Sequence, residues 1–356
     1  MSATTAVPSL AFGPSAGRSA LAIGGGALFV LLAAVAAVTL GTSGIGAGDA
    51  VAIVVHRLTG LGPVTWPASA ETIVWELRLP RVVTGMVVGA GLACAGTVFQ
   101  ALLRNPMADP YIIGPAAGAS LGAVVALLLP VATAGWLGIG LVQALAFAGG
   151  LATVLVVLAV ARGRAGTPVV TLLLAGYAIS SLLSAGVALL IFNSGERLAA
   201  VIGWLLGSLA GSSWPRVAVA APLIVISFTL LLLRWRRLNA LLLGEGPAAH
   251  LGIEVEREKR ILTVLAALAT SAAVAVSGTI GFVGLVVPHL VRLVVGPDHR
   301  LLLPASLLYG AGLLVLADLG ARLAGGVPVG VVTALLGAPF FLWLLRKSVT
   351  GVGDRR

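Results

Sequence analysis

The chain has 356 residues, 59% of them hydrophobic and only 10% charged, and its mean hydropathy is +1.11. Soluble domains carry about 25% charged residues, so the composition excludes a soluble enzyme or binding module and describes an integral membrane protein. The net charge of +10 and pI near 11.3 would suit a nucleic-acid binder. In so apolar a chain they express the excess of Lys and Arg on cytoplasmic loops, and no nucleic-acid partner is expected.

Residues 1–18, rich in Ala, Ser and Pro, are expected to form a disordered cytoplasmic N-terminus. Uncharged or nearly uncharged runs then predict helices at about residues 19–41, 82–103, 112–130, 140–161, 168–192, 215–233, 261–283, 302–321 and 328–345. The first is too long for a signal peptide and begins a series of similar segments, so it reads as a retained span. Two shorter apolar pieces remain, at about 198–210 and 286–296. If only the second crosses, the spans number about ten and both termini share one side. The expected fold is thus all-α and polytopic, with a transmembrane domain over 19–346 and a tail over 347–356.

With the termini in the cytoplasm, sixteen of the 22 positive charges fall inside. Six fall outside, at Arg57, Arg78, Arg81, Arg197, Arg216 and Arg322. That imbalance orients the chain. Small residues spaced for close helix contact recur at Gly85 and Gly89, at Gly114, Gly118 and Gly122, and at Gly207 and Gly211. They predict a tight bundle surrounded by membrane lipid. Cys94, the single cysteine, lies in an apolar run and reads as a packing residue.

Three stretches are not simple spans. Residues 42–77 read as an outer loop containing an amphipathic piece, Ala50 to Leu58. Residues 193–214 suggest a short helix capped by Asn193 or Ser194. Residues 235–260 form the one long cytoplasmic loop.

Several motifs carry more than composition: LRLPR at 77–81, QALLRNPMADP at 100–110, GTIGFVGLVVPHLVR at 278–292, ADLGAR at 317–322 and PVGVVTALLGAPFFLWLL at 328–345. In order and spacing they resemble the permease subunits of ATP-driven importers for iron-siderophores, haem and vitamin B12, the FecCD-like type II family. Met107 stands where that family usually has leucine, a change that conserves volume.

The resemblance implies a ten-helix subunit acting as a homodimer in a bacterial or archaeal cytoplasmic membrane. Its partners would be a second copy, two cytosolic ABC ATPase subunits and an extracytoplasmic substrate-binding protein. The chain itself would hold no cofactor, with ATP and Mg on the ATPase. Asn105, Pro106 and Met107 would form the cytoplasmic gate, and Ser180, Ser181 and Ser184 are candidates to line the pathway. Leu243, Gly244, Glu245, Pro247, Ala248, His250, Leu251 and Gly252 match the ATPase-coupling element, which Pro247 would start between tight turns at Gly246 and Gly252. Arg78, Arg81 and Arg322 match outer arginines that dock the binding protein. Each assignment competes with a plainer reading: Asn-Pro is a common turn, and small polar residues also serve helix packing.

Asp318 and Arg322, four residues apart, are expected to form a structural ion pair. The rival reading makes Asp318 the coupling acid of an ion-gradient-driven transporter. His289, after Pro288, is expected to make a hydrogen bond at a helix start, while His56, His250 and His299 fall in predicted loops without metal spacing. No metal site is expected. The chain has two lysines, Lys259 and Lys347, and neither follows a phosphate-binding glycine loop. ATP hydrolysis is therefore expected on another subunit.

Overall fold

In lipid, backbone polar groups must be satisfied within the protein, and a helix does this segment by segment. The computed structural model describes residues 16–353 apart from 42, 131–134, 137–138 and 164–165. Its helices are α1 (Ala16–Thr39), α2 (Ala47–Thr59), α3 (Ala68–Leu102), α4 (Pro115–Leu128), α5 (Leu141–Ala161), α6 (Val169–Phe192) and α7 (Leu198–Leu205). They continue with α8 (Trp214–Leu232), α9 (Trp235–Leu242), α10 (Glu245–His250), α11 (Val255–Ser277), α12 (Val283–Val295), α13 (His299–Leu323) and α14 (Val329–Gly353). A two-residue hairpin, β1 (Gly135–Trp136) with antiparallel β2 (Ile139–Gly140), precedes α5.

Among the described residues seven helices are long and apolar enough to cross a membrane: α1, α3, α5, α6, α8, α11 and α13. The apolar helices α4 and α12 have 14 and 13 residues, or about 20 Å against a hydrocarbon core of about 30 Å. Both begin at one junction of irregular backbone that also receives α7 and the start of α14. There Tyr111 donates from its hydroxyl to Ile280 O at 3.0 Å and accepts from Ile280 N at 3.2 Å. Ser208 N donates to Ser277 O at 2.8 Å, and Gly330 N to Gly207 O at 3.2 Å. Protein groups thus satisfy the non-helical backbone that lipid could not.

Glycines let the helices meet at backbone distance. A Cβ on Gly96 of α3 would collide with the Gly284 carbonyl of α12, one on Gly89 with Gly310 O of α13, and one on Gly118 of α4 with Gly149 O of α5. The expected tight packing is present at these crossings, and Cys94 is buried within α3.

Several boundaries differ from expectation. The helix expected at 82–103 begins at Ala68, so Arg78 and Arg81 lie within α3 rather than at its start. A π-turn over Ile73–Arg78, with Leu79 N bonded to Val74 O, widens the helix where Pro80 has no N–H to give. The loop expected at 235–260 is mostly helical, comprising α9, α10 and the first turn of α11. The expected disordered N-terminus lies outside the described residues up to residue 15, but residues 16–18 already belong to α1. Likewise α14 continues through the expected tail as far as Gly353.

Short helical structure does occupy 195–205, but neither expected cap serves it. Asn193 Nδ2 donates to Leu189 O and Ser194 Oγ to Ile191 O, both back into α6.

Candidate functional site

The polar groups gather at opposite ends of the bundle. At one end, α9 is fastened to its neighbours. Glu258 of α11 accepts from Arg234 Nη1 at 2.7 Å and from Arg237 Nη1 at 2.6 Å. Asn239 Nδ2 donates to Asp298 Oδ1 at 2.8 Å, and Asn239 Oδ1 accepts from His299 N at 2.9 Å, tying α9 to the start of α13. Leu238 and Leu241 seat its apolar side in the core cluster around Phe99.

On this frame stands α10. Gly244 precedes it with φ 111°, a backbone only glycine adopts freely, so Gly244 rather than Gly246 forms the tight turn expected before Pro247. Gly252, at φ 79°, forms the expected turn after it. Ala248 is buried, whereas Leu243, Pro247 and Leu251, spaced four apart, are exposed. Glu245, His250 and Gly252 are exposed too. The face is therefore an apolar stripe with a charged edge.

The hairpin after α3 turns sharply beside it. Arg104 takes φ 48°, and Asn105 Oδ1 accepts from Met107 N at 2.9 Å. Asn105 and Pro106 are exposed and Met107 half-buried. A Cβ on Gly244 would lie 3.5 Å from Arg104 Nη1, so the hairpin and the start of α10 are neighbours.

The three candidate serines of α6 differ in burial. Ser181 and Ser184 are exposed alongside Tyr177, while Ser180 turns inward toward Gly114. Val170, Leu174 and Phe192 extend the same uncovered side of α6.

At the opposite end, Asp318 is 3% exposed. Its partner Arg322 was expected, and Arg322 Nε stands 3.4 Å from Oδ2. The stronger partner is Arg81, whose Nε and Nη2 reach the two carboxylate oxygens at 2.8 Å each, a two-point grip. The remaining arginine donors cap α1. Arg78 Nη1 donates to Val38 O at 2.6 Å, and Arg322 Nη2 to Ala37 O at 2.8 Å. These carbonyls would otherwise lack partners at a helix end. Arg78 is buried, with its other nitrogen donating to Ser43 Oγ at 2.5 Å.

The histidines lie on helices. His289 sits inside α12, beyond the first turn, and its Nδ1 is buried without a hydrogen-bond partner, contrary to the expected helix-start role. His56 and His250 belong to α2 and α10, and His299 is buried at the start of α13. No group of three or more potential metal ligands occurs among the described residues. Sequence reasoning missed the grip of Arg81 on Asp318 and the Glu258 pairs; charge in so apolar a chain was the available signal, but it named no partner.

This is a multi-pass helical membrane protein whose polar groups are concentrated at its two ends. The chain belongs to the FecCD transport family, whose family model matches residues 28–347. The cobalamin import system permease BtuC of Halobacterium salinarum is 50% identical over 281 residues, which cover 79% of this chain and 75% of that one. The hemin transport permease HmuU of Yersinia pestis is 42% identical over 291 residues, 80% and 87% of the two chains. Among solved structures, a metal-chelate type ABC transporter in an inward-facing conformation superposes with a TM-score of 0.78 at 31% identity, covering 91% of this chain and 98% of that one.

Proposed function

We propose that this chain is the transmembrane permease subunit of an ATP-driven importer for a large chelate, a corrinoid first and haem or an iron-siderophore second. The order follows the higher identity to the cobalamin permease. The three shorter apolar helices join the seven long ones to make ten spans, with both termini in the cytoplasm. Two copies enclose the pathway between the uncovered faces of α6 and α14, and the hairpin at Asn105, Pro106 and Met107 forms its cytoplasmic gate. The Arg78, Arg81 and Arg322 cluster outnumbers Asp318 and leaves this end positive, with the partly exposed Arg81 and Arg322 rather than the buried Arg78 in reach of acidic residues of a binding protein. The rival ion-driven reading loses support because Asp318 is held by two guanidiniums, which the structural ion-pair role accounts for.

The observation that carries the proposal is α10: a short helix seated on a braced frame with Leu243, Pro247 and Leu251 facing outward. A cytosolic protein that seats on this stripe, as an ATPase would, removes the exposed apolar surface from water. The test uses proteoliposomes containing this chain, its ATPase and its binding protein. Labelled cyanocobalamin should accumulate only with ATP, while the purified chain alone should hydrolyse none. Leu243→Asp with Leu251→Asp should abolish ATPase assembly and uptake while leaving the permease folded, because both side chains are exposed. Normal assembly in that variant would remove α10 from the coupling role.

A further inference from the structure

Lys259 occupies a position that the coupling role alone does not require. It is 8% exposed, and its ammonium has three oxygen partners on three elements. Nζ lies 2.7 Å from Thr167 O, 2.7 Å from Glu256 Oε1 and 3.1 Å from Glu245 Oε1. Glu256 completes the arrangement by accepting from Thr167 N at 2.8 Å through its other oxygen. Both backbone polar groups of Thr167 are therefore held by side chains from the first turns of α11. Gly166 makes the approach possible. Its φ is 105°, and a Cβ there would come within 2.8 Å of the Glu256 carboxylate.

Thr167 immediately precedes Pro168, the N-cap of α6. Of the seven long spans, α6 is the least buried within the chain. Few packing contacts oppose its displacement, so the fastening at its start has unusual leverage. On the other arm, the Glu245–Lys259 pair is the one side-chain ion pair leaving α10 among the described residues. By contrast, α9 is fixed to α11 and α13 by the Glu258 and Asn239 bonds and serves as the frame.

We propose that Lys259 is a positioning residue that transmits displacement of α10 to the cytoplasmic start of α6, with Glu245 as the arm on α10 and Glu256 with Thr167 as the arm on α6. A buried ammonium suits this task because losing any one carboxylate partner leaves it under-compensated, so the three elements tend to move together. The proposal rests on α10 being the ATPase seat.

The test measures distances in the assembled complex with its ATPase, without added transport substrate. Spin labels at Ala249→Cys and Val170→Cys report on α10 and the start of α6, and a third at the exposed Arg236→Cys of α9 on the frame. In the parent, ATP binding should shift the α10 label against the frame by about 2 Å, the scale of helix shifts in switching proteins. The distance between the α10 and α6 labels should stay constant. In Lys259→Met and in Glu245→Gln, which removes a carboxylate that is 45% exposed and should leave the fold intact, α10 should still move while its distance to α6 changes. Lys259→Arg should restore joint movement, which a merely stabilising residue would not require. A constant α10–α6 distance in Glu245→Gln overturns the proposal, even if Lys259→Met fails to fold. A parent in which the α10 label never moves against the frame instead overturns the underlying ATPase-seat reading.

Discussion

Asp318 determines how much of the arginine cluster belongs to folding. At 3% exposure its carboxylate has little water around it, and the guanidiniums of Arg81 and Arg322 stand in for that water. Removing one partner of a buried pair leaves an uncompensated charge, at a cost of about 3–5 kcal/mol, whereas exposed pairs contribute about 0.2–1 kcal/mol. Arg81→Glu should therefore lower the unfolding temperature in detergent sharply. Arg57→Glu should do so little, because the Arg57 side chain is 49% exposed in its pair with Glu71. Equal shifts in the two variants would mean that Asp318 is solvated. For the same reason, charge reversal at Arg81 cannot isolate docking of a binding protein. The i,i+4 relation of Asp318 to Arg322 could be read from the string, because helical period brings such residues together. Arg81 is 237 positions away, and only the packing of α3 on α13 reveals it.

At the scale of elements, close approach depends on a few glycines rather than on glycine content. Gly96 meets the Gly284 carbonyl, whereas a Cβ on Gly24 of α1 would meet nothing within 4 Å. Gly96→Ala must force α3 and α12 apart, and overpacking of this kind costs about 1–3 kcal/mol. Gly24→Ala adds helix propensity, about 1 kcal/mol in soluble helices, and should be neutral or stabilising. Comparative melting of the two variants checks this, and a harmless Gly96→Ala would show that the crossing can relax. The spans were legible because uncharged runs leave few alternatives in lipid. The long first part of α3 was hidden, since Arg78-Leu79-Pro80-Arg81 has the appearance of a boundary. The π-turn and the Arg81–Asp318 pair hold it inside a helix. The helix α9 was hidden for a different reason: eight residues are too few for a periodic signal, whereas α10 was legible from Pro247 and its flanking glycines, with its start misplaced by two residues.

For the whole molecule, orientation follows from where charge accumulates. The end bearing α9, α10 and the starts of α11 and α13 contains Arg234, Arg236, Arg237, Arg257, Lys259, Arg260 and Arg300 in one contiguous stretch and its neighbour, whereas at the opposite end Arg57, Arg78, Arg81, Arg197, Arg216 and Arg322 are scattered over five segments. Short loops rich in Lys and Arg are retained in the cytoplasm, so α10 should face the cytosol and the turn after α7 should face outward. The position Ala132, which would serve as a second outer reporter, lies outside the described residues. Ala210 and Ala249 are both exposed and occupy opposite ends, and the native Cys94 is buried and should stay silent. In intact cells an impermeant maleimide should modify Ala210→Cys and spare Ala249→Cys, with both modified once the membrane is opened. The control matters, because an unlabelled position 249 is informative only if its thiol reacts after lysis. Labelling of position 249 from outside would invert the chain, place α10 beyond the reach of a cytosolic ATPase, and take the coupling mechanism with it.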